Sequence, residues 1–129
     1  MTIEIDAQHV LISKEEWGWL VIWTADQNLA SEKYVMLQAK DEYSPEDVRL
    51  GMNDIYIECC GQGWSWYGHI ESFVLSDKRI DVRLDRSAAQ RMRNDGRFVA
   101  TFSLGGEEQD KLRSTLRQVF HGRDYYAEA

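Results

Sequence analysis

Proline and cysteine are scarce in this sequence, which holds one proline, Pro45, and two cysteines, Cys59 and Cys60. Neighbouring residues in a strand point to opposite faces, so we expect two free thiols, as in a reducing compartment. The longest apolar run, residues 19–23, is far shorter than the roughly 20 residues of a membrane span. The first residues also lack the basic region and apolar core of a secretion signal. We therefore expect a cytoplasmic protein.

Positive charge is also in short supply. Fifteen Lys and Arg residues stand against 22 Asp and Glu residues, for a formal net charge of −7. This balance argues against nucleic-acid binding, which needs a basic footprint, and against docking on anionic membranes. It suits a basic protein partner, because opposite fields accelerate encounter. Net charge of this size also simply keeps small domains soluble.

Motifs that carry chemistry are missing as well. The segment GQGWSWYG, residues 61–68, has the wrong spacing for a phosphate loop and leads into a strand. No CxxC or HxxxH spacing is present for a metal. Glu58 and Glu71 are predicted on neighbouring strands, where paired carboxylates would resemble a hydrolase site. Glutamates on strands commonly face solvent, so a binding or solvated role is favoured. We predict no catalytic residue, no metal and no cofactor.

The pattern that is present is alternation of apolar and polar residues. It predicts an α+β fold: a mostly antiparallel sheet of about six or seven strands, with one short and one longer C-terminal helix packed on one face. The strand candidates are residues 3–5, 9–13, 17–25, 33–39, 55–59, 69–75, 80–85 and 97–104. The helices are predicted over 87–95 and 107–122, and residues 80–104 suit a parallel strand pair with a crossover helix. Residues 1–122 then form a single domain, and 123–129 form a flexible tail.

The most unusual segment is GQGWSWYGH, residues 61–69, between two predicted strands. A plain hairpin needs only two to five connecting residues, and this one carries three large aromatic side chains. These rings either fold back over the sheet edge as a small satellite core or remain partly exposed as a binding patch. On the second alternative, the predicted partner-binding residues are Glu58, Gln62, Trp64, Trp66, Tyr67 and Glu71. A small-ligand module, such as a carbohydrate binder stacking a sugar on Trp64 or Trp66, is the other alternative.

Three segments carry a resemblance to a known family. They are GMNDIYIECCGQGWSWYGHIESFVLSDKRIDVRL at 51–84, YVMLQ at 34–38 and LRSTLRQVF at 112–120. Together they resemble the immunity protein 10 family of bacterial polymorphic-toxin systems, over residues 17–120. The sequence departs from the family at Cys59, Cys60 and Gly61, where polar residues are expected, and at His69, where a second glycine is usual.

This resemblance implies a protein that stays in the producing cell and neutralises a cognate toxin by direct noncovalent binding. Such an inhibitor needs no catalytic group. The acidic charge suits a basic toxin domain, as many nucleases are. The sequence leaves open the choice between a monomer and a homodimer, because strands near the N-terminus could pair across a dimer.

Overall fold

The computed structural model describes residues 2–26, 33–61 and 64–129. The elements in chain order are β1 (Ile3–Asp6), β2 (His9–Lys14), β3 (Gly18–Thr24), β4 (Tyr34–Lys40), α1 (Pro45–Arg49), β5 (Tyr56–Cys59), β6 (Ser65–Tyr67), β7 (Ile70–Ser76), β8 (Arg79–Leu84), α2 (Arg86–Met92), β9 (Arg97–Thr101), α3 (Gly106–Val119) and β10 (Tyr126–Glu128). No helix in these described ranges is long and apolar enough to span a membrane.

The strands form two sheets of five, which we name sheet A and sheet B. Sheet A has the order β1-β9-β8-β7-β10, and sheet B has the order β2-β3-β4-β5-β6. The α+β class is confirmed, but the prediction of one sheet of six or seven strands is wrong. Alternation identifies which side of a strand is buried, and two sheets that share one core give the same alternation as a single sheet.

Sheet B is antiparallel throughout, whereas both edges of sheet A are parallel pairs, β1 with β9 and β10 with β7. The parallel pair predicted within residues 80–104 is wrong, because β8 and β9 pair antiparallel. The helix between them, α2, ends at Arg93 in the left-handed conformation, with φ 58°. The chain therefore reverses direction beside β8 instead of crossing over the sheet.

A single hydrophobic core lies between the sheets and α3. The Trp23 ring of sheet B meets the Phe73 ring of sheet A at a centroid distance of 6.0 Å, and Phe73 also meets Phe120 at 4.7 Å. From α3, Leu112 and Leu116 are fully buried in this core. The apolar stripe of the last predicted helix thus packs inward.

The last residues of the chain form β10, which differs from the flexible tail that the sequence predicts. Tyr126 stacks on Phe120 with ring centroids 4.9 Å apart and planes 10° apart. Glu128 accepts hydrogen bonds from the Arg117 guanidinium at 2.7 and 2.8 Å. Stacking of the Tyr126 ring and the Arg117–Glu128 ion pair therefore stabilise β10, although this segment carries almost no aliphatic residues.

The two cysteines also differ from expectation. The sulfur atoms of Cys59 and Cys60 are joined in a disulfide between adjacent residues, so the prediction of two free thiols is wrong. β5 ends at Cys59, and Cys60 has a left-handed backbone with φ 64°. The strand alternation that would separate the two side chains therefore stops between them.

Candidate functional site

The aromatic segment forms β6, an edge strand of sheet B. Its partner is β5, with Ile57 opposite Trp66 and Tyr56 opposite Tyr67. Because successive side chains of a strand point to opposite faces, the two aromatic neighbours separate. Trp66 joins Ile57 on the inner face of sheet B, and Tyr67 joins Tyr56 on the outer face.

The burial of the three rings follows this division. Trp66 is 7% exposed and belongs to the hydrophobic core, and Trp64 packs partly buried against it. Tyr67, in contrast, is 37% exposed. The sequence leaves open whether these rings form a buried satellite core or an exposed patch. In the structure Trp66 is buried, whereas Tyr67 is exposed.

Tyr67 lines a cleft on the outer face of sheet B. We name the four rings Trp17, Tyr43, Tyr56 and Tyr67 the aromatic cleft; Gln38, Lys40, Met52 and Asp54 complete its lining, around about 100 Å³. The rings of Tyr56 and Tyr67 lie 5.1 Å apart, tilted by 56°. Trp17, at the opposite side, is 41% exposed.

Close backbone packing places Trp17 in the cleft. The Trp17 carbonyl accepts a hydrogen bond from the Asp41 amide at 2.9 Å. Gly18 follows with φ 154°, and a Cβ at this position would lie 2.0 Å from the Ala39 carbonyl oxygen. Only glycine fits at this position, so the β3–β4 pairing fixes where the indole emerges.

A buried carboxylate lies beside the cleft, on the same face of sheet B as Tyr56. Glu58, 6% exposed, accepts hydrogen bonds from the hydroxyls of Tyr34 and Tyr56. Burial and the hydrogen bond to Glu58 raise the pKa of Tyr34 to about 12, and the same two causes raise the pKa of Tyr56. Both phenols therefore stay protonated and donate at neutral pH. Glu58 holds the Tyr56 ring in position and is itself hidden from a partner.

The structure does not bring Glu58 and Glu71 together. Glu71 is exposed on β7 in sheet A, whereas the neighbours of β5 are β4 and β6 in sheet B. The prediction of neighbouring strands fails because β6 intervenes and the chain leaves sheet B through Gly68 and His69, whose φ angles are 77° and 62°. Gln62 lies outside the described residues.

Helix α1 borders the aromatic cleft. Ser44 and Asp47 cap it reciprocally, with Pro45 at its first turn, which accounts for the helical turn in the charged 40–54 segment. Lys40 of the cleft pairs with Asp47 at 2.9 Å, and the amide of Met52, also in the cleft, donates to the Asp47 carbonyl at 2.8 Å. Hydrogen bonds from Ser44 and the Lys40 ammonium lower the pKa of Asp47, which keeps this pair ionised.

The described part of the chain brings no three His, Cys, Asp or Glu side chains into a group that could hold a metal ion.

The sequence patterns did not predict Trp17, Tyr43 and Tyr56 as members of the site. Tyr56 could have been placed beside Tyr67 if residues 65–67 had been recognised as a strand. Trp17 precedes β3 and Tyr43 follows β4, and both reach the cleft through the pairing of β3, β4 and β5.

Comparison with known proteins gives one match. A sequence model described as Immunity protein 10 matches residues 6–110 of the 129-residue chain. The chain belongs to the immunity protein 10 family. No curated protein and no solved structure matches it. The region shared with the immunity protein 10 family contains all of sheet B and the whole aromatic cleft, and it ends in the first turns of α3.

Proposed function

We propose that this member of the immunity protein 10 family neutralises a cognate toxin by direct, noncovalent binding in the cytoplasm of the producing cell, without catalysis of its own. The observation that carries the proposal is the aromatic cleft, where Trp17 and Tyr67 are 41% and 37% exposed. Tryptophan and tyrosine are the residue types that most often dominate protein–protein binding energy. Their exposure on an ordered sheet face suits recognition of another protein.

The cleft is held in shape before any partner arrives. Tyr56 is fixed by its hydrogen bond to Glu58, and Tyr67 is fixed by strand pairing and by its contact with Tyr56. A surface that is already ordered loses little conformational freedom on association. Such a surface favours tight binding, which an inhibitor of a lethal protein requires.

A carbohydrate-binding function is less well supported at this site. Small-molecule sites usually enclose roughly 300–1,000 Å³, and the aromatic cleft encloses about 100 Å³. Trp66, proposed from the sequence as a stacking platform, is buried in the core. A cleft of this size accommodates one protein side chain more readily than a sugar ring.

The experiment that tests the proposal is co-expression with the toxin domain encoded by the adjacent gene. We expect cells carrying both proteins to grow, and cells carrying the toxin alone to die. With an inactivated toxin, the two chains should elute together in size-exclusion chromatography. Continued killing despite abundant folded protein, with no complex on co-purification, would contradict the proposal.

A further inference from the structure

Exposed apolar side chains gather on one side of the described structure. Four large hydrophobic side chains are the most exposed: Trp17 at 41%, Val48 at 56%, Leu50 at 57% and Tyr67 at 37%. Trp17 and Tyr67 belong to the aromatic cleft, and Val48 and Leu50 lie in α1 and at its C-terminal end. Because α1 is joined to the cleft through Lys40 and Met52, Val48 and Leu50 lie on the helix next to the cleft. Such a concentration is typical of an interaction site.

The basic groups of this surface are already neutralised. Lys14 pairs with Asp41 at 2.6 Å, Lys40 with Asp47 at 2.9 Å, Arg49 with Glu46 at 3.4 Å and Arg123 with Asp54 at 3.0 Å. Each cation therefore faces an acid of the same chain. These pairs leave no positive charge among them for an acidic partner.

Two further acids, Glu16 and Glu42, give the surface its excess charge. Both are exposed, and both line a shallow depression that shares Trp17 and Lys40 with the aromatic cleft. Neither makes an ion pair with any residue of the described ranges. The exposed Trp17 ring thus lies between an aromatic cleft and a negatively charged depression, and an indole face also attracts cations.

We infer that the aromatic cleft, α1 and the depression at Glu16 and Glu42 form one docking surface for a basic face of the toxin; this inference rests on the proposed function. An apolar side chain of the toxin enters the aromatic cleft, and lysine or arginine side chains lie against Glu16 and Glu42. The apolar contact supplies affinity, and the charges speed encounter and orient the partner.

The first test measures affinity for the purified, inactivated toxin. We expect Trp17→Ala and Tyr67→Ala each to weaken binding about thirtyfold or more, as hot-spot residues do. Thermal unfolding of each variant shows whether it is folded. Folded variants that both bind like the wild type would overturn the inference while leaving the proposed function intact.

The second test concerns charge. The double variant Glu16→Lys/Glu42→Lys should reduce the association rate constant about tenfold at low salt, with a smaller reduction at high salt, because screening weakens steering. The control is Glu4→Lys/Asp77→Lys, which makes the same charge change at an exposed position of β1 and in the exposed turn between β7 and β8. Equal effects of the two double variants would show a general charge effect and overturn the docking surface.

Two further outcomes would indicate either a different occupant of the surface or a failure of the proposed function. If the wild-type chain self-associates and Trp17→Ala abolishes that association without affecting toxin binding, the occupant is a second copy and the inference is wrong. If the wild-type chain does not bind the toxin at all, the proposed function itself fails. Sedimentation of the wild type, with and without the inactivated toxin, separates these outcomes from a failure of the docking surface alone.

Discussion

The outer faces of sheet A and sheet B differ in chemistry although both sheets bury their inner faces in the same core. On sheet A, Arg97 donates to Asp81 through two nitrogens at 2.6 and 3.0 Å. Exposed charged residues surround that pair: Glu4, Arg79 and Arg83. On sheet B, the corresponding face carries mainly uncharged side chains, Leu20, Met36, Gln38, Tyr56 and Tyr67. Of the charged groups on that face, Glu58 is buried and Lys40 is paired with Asp47.

The charged outer face of sheet A is well hydrated, whereas the outer face of sheet B is suited to contact with another protein. Charged groups paired across neighbouring strands stay hydrated and discourage association. Partly exposed tyrosine, leucine and methionine bind water weakly, so covering them with a partner is favourable. The outer face of sheet A is therefore strongly hydrated, and the outer face of sheet B is the one on which we propose recognition.

The largest expected effect contrasts the two sides of sheet B. We expect Trp66→Ala to lower the free energy of unfolding by about 3–5 kcal/mol, since it empties a buried ring position. Tyr67→Ala, one residue along on the outer face, should change it by less than about 1 kcal/mol. Urea denaturation of both variants measures the contrast. Equal losses would mean that the outer face of sheet B is packed like a core.

A medium effect is expected at Glu58, the buried carboxylate beside the cleft. Glu58→Ala leaves the hydroxyls of Tyr34 and Tyr56 without their acceptor, so we expect a loss of about 2 kcal/mol in unfolding free energy. Glu58→Gln keeps one acceptor oxygen and should lose less. Denaturation at neutral pH compares the three proteins. An unchanged Glu58→Ala variant would show that the phenols do not depend on this residue.

The smallest effect on stability is expected at the Asp81–Arg97 ion pair on the outer face of sheet A. The Arg97 guanidinium lowers the pKa of Asp81, so the pair stabilises the fold above the ordinary aspartate pKa, and this stabilisation is lost as pH falls through the lowered value. At neutral pH, Asp81→Asn should cost about 1 kcal/mol or less, as for other partly exposed pairs. Chemical denaturation at pH 7 and near pH 3 checks this. A difference from wild type that stays constant between the two pH values would contradict it.

The strands of this protein could be predicted from sequence more fully than their arrangement. Alternation predicts the strands other than β6 and β10, and the predicted helices 87–95 and 107–122 overlap α2 and α3. Alternation carries no information about which strands meet, and β1 pairs with β9 across 95 positions of the chain, as Ile3 with Phe98. The sequence pattern therefore predicts one sheet where the structure has two.

The candidate site was predicted only in part, for a related reason. Tyr67 was found because it lies in an unusually aromatic segment. The sequence groups Trp66 with Tyr67 because it predicts a loop at residues 61–69, and alternation of side chains between two faces applies only to a strand. Trp17 precedes a strand, and nothing in its own neighbourhood of the sequence indicates that Gly18 will pack against Ala39 and direct the indole to the cleft.

The parallel edge strand β1 also has a consequence for biosynthesis. It leaves the ribosome well before its pairing partner β9, which begins at Arg97. At roughly 5–20 residues per second, translation reaches that partner about 5 to 20 s later. Until then Ile3 and Ile5 have no partner strand in sheet A, so this edge of the sheet forms only after β2 to β8 have been synthesised.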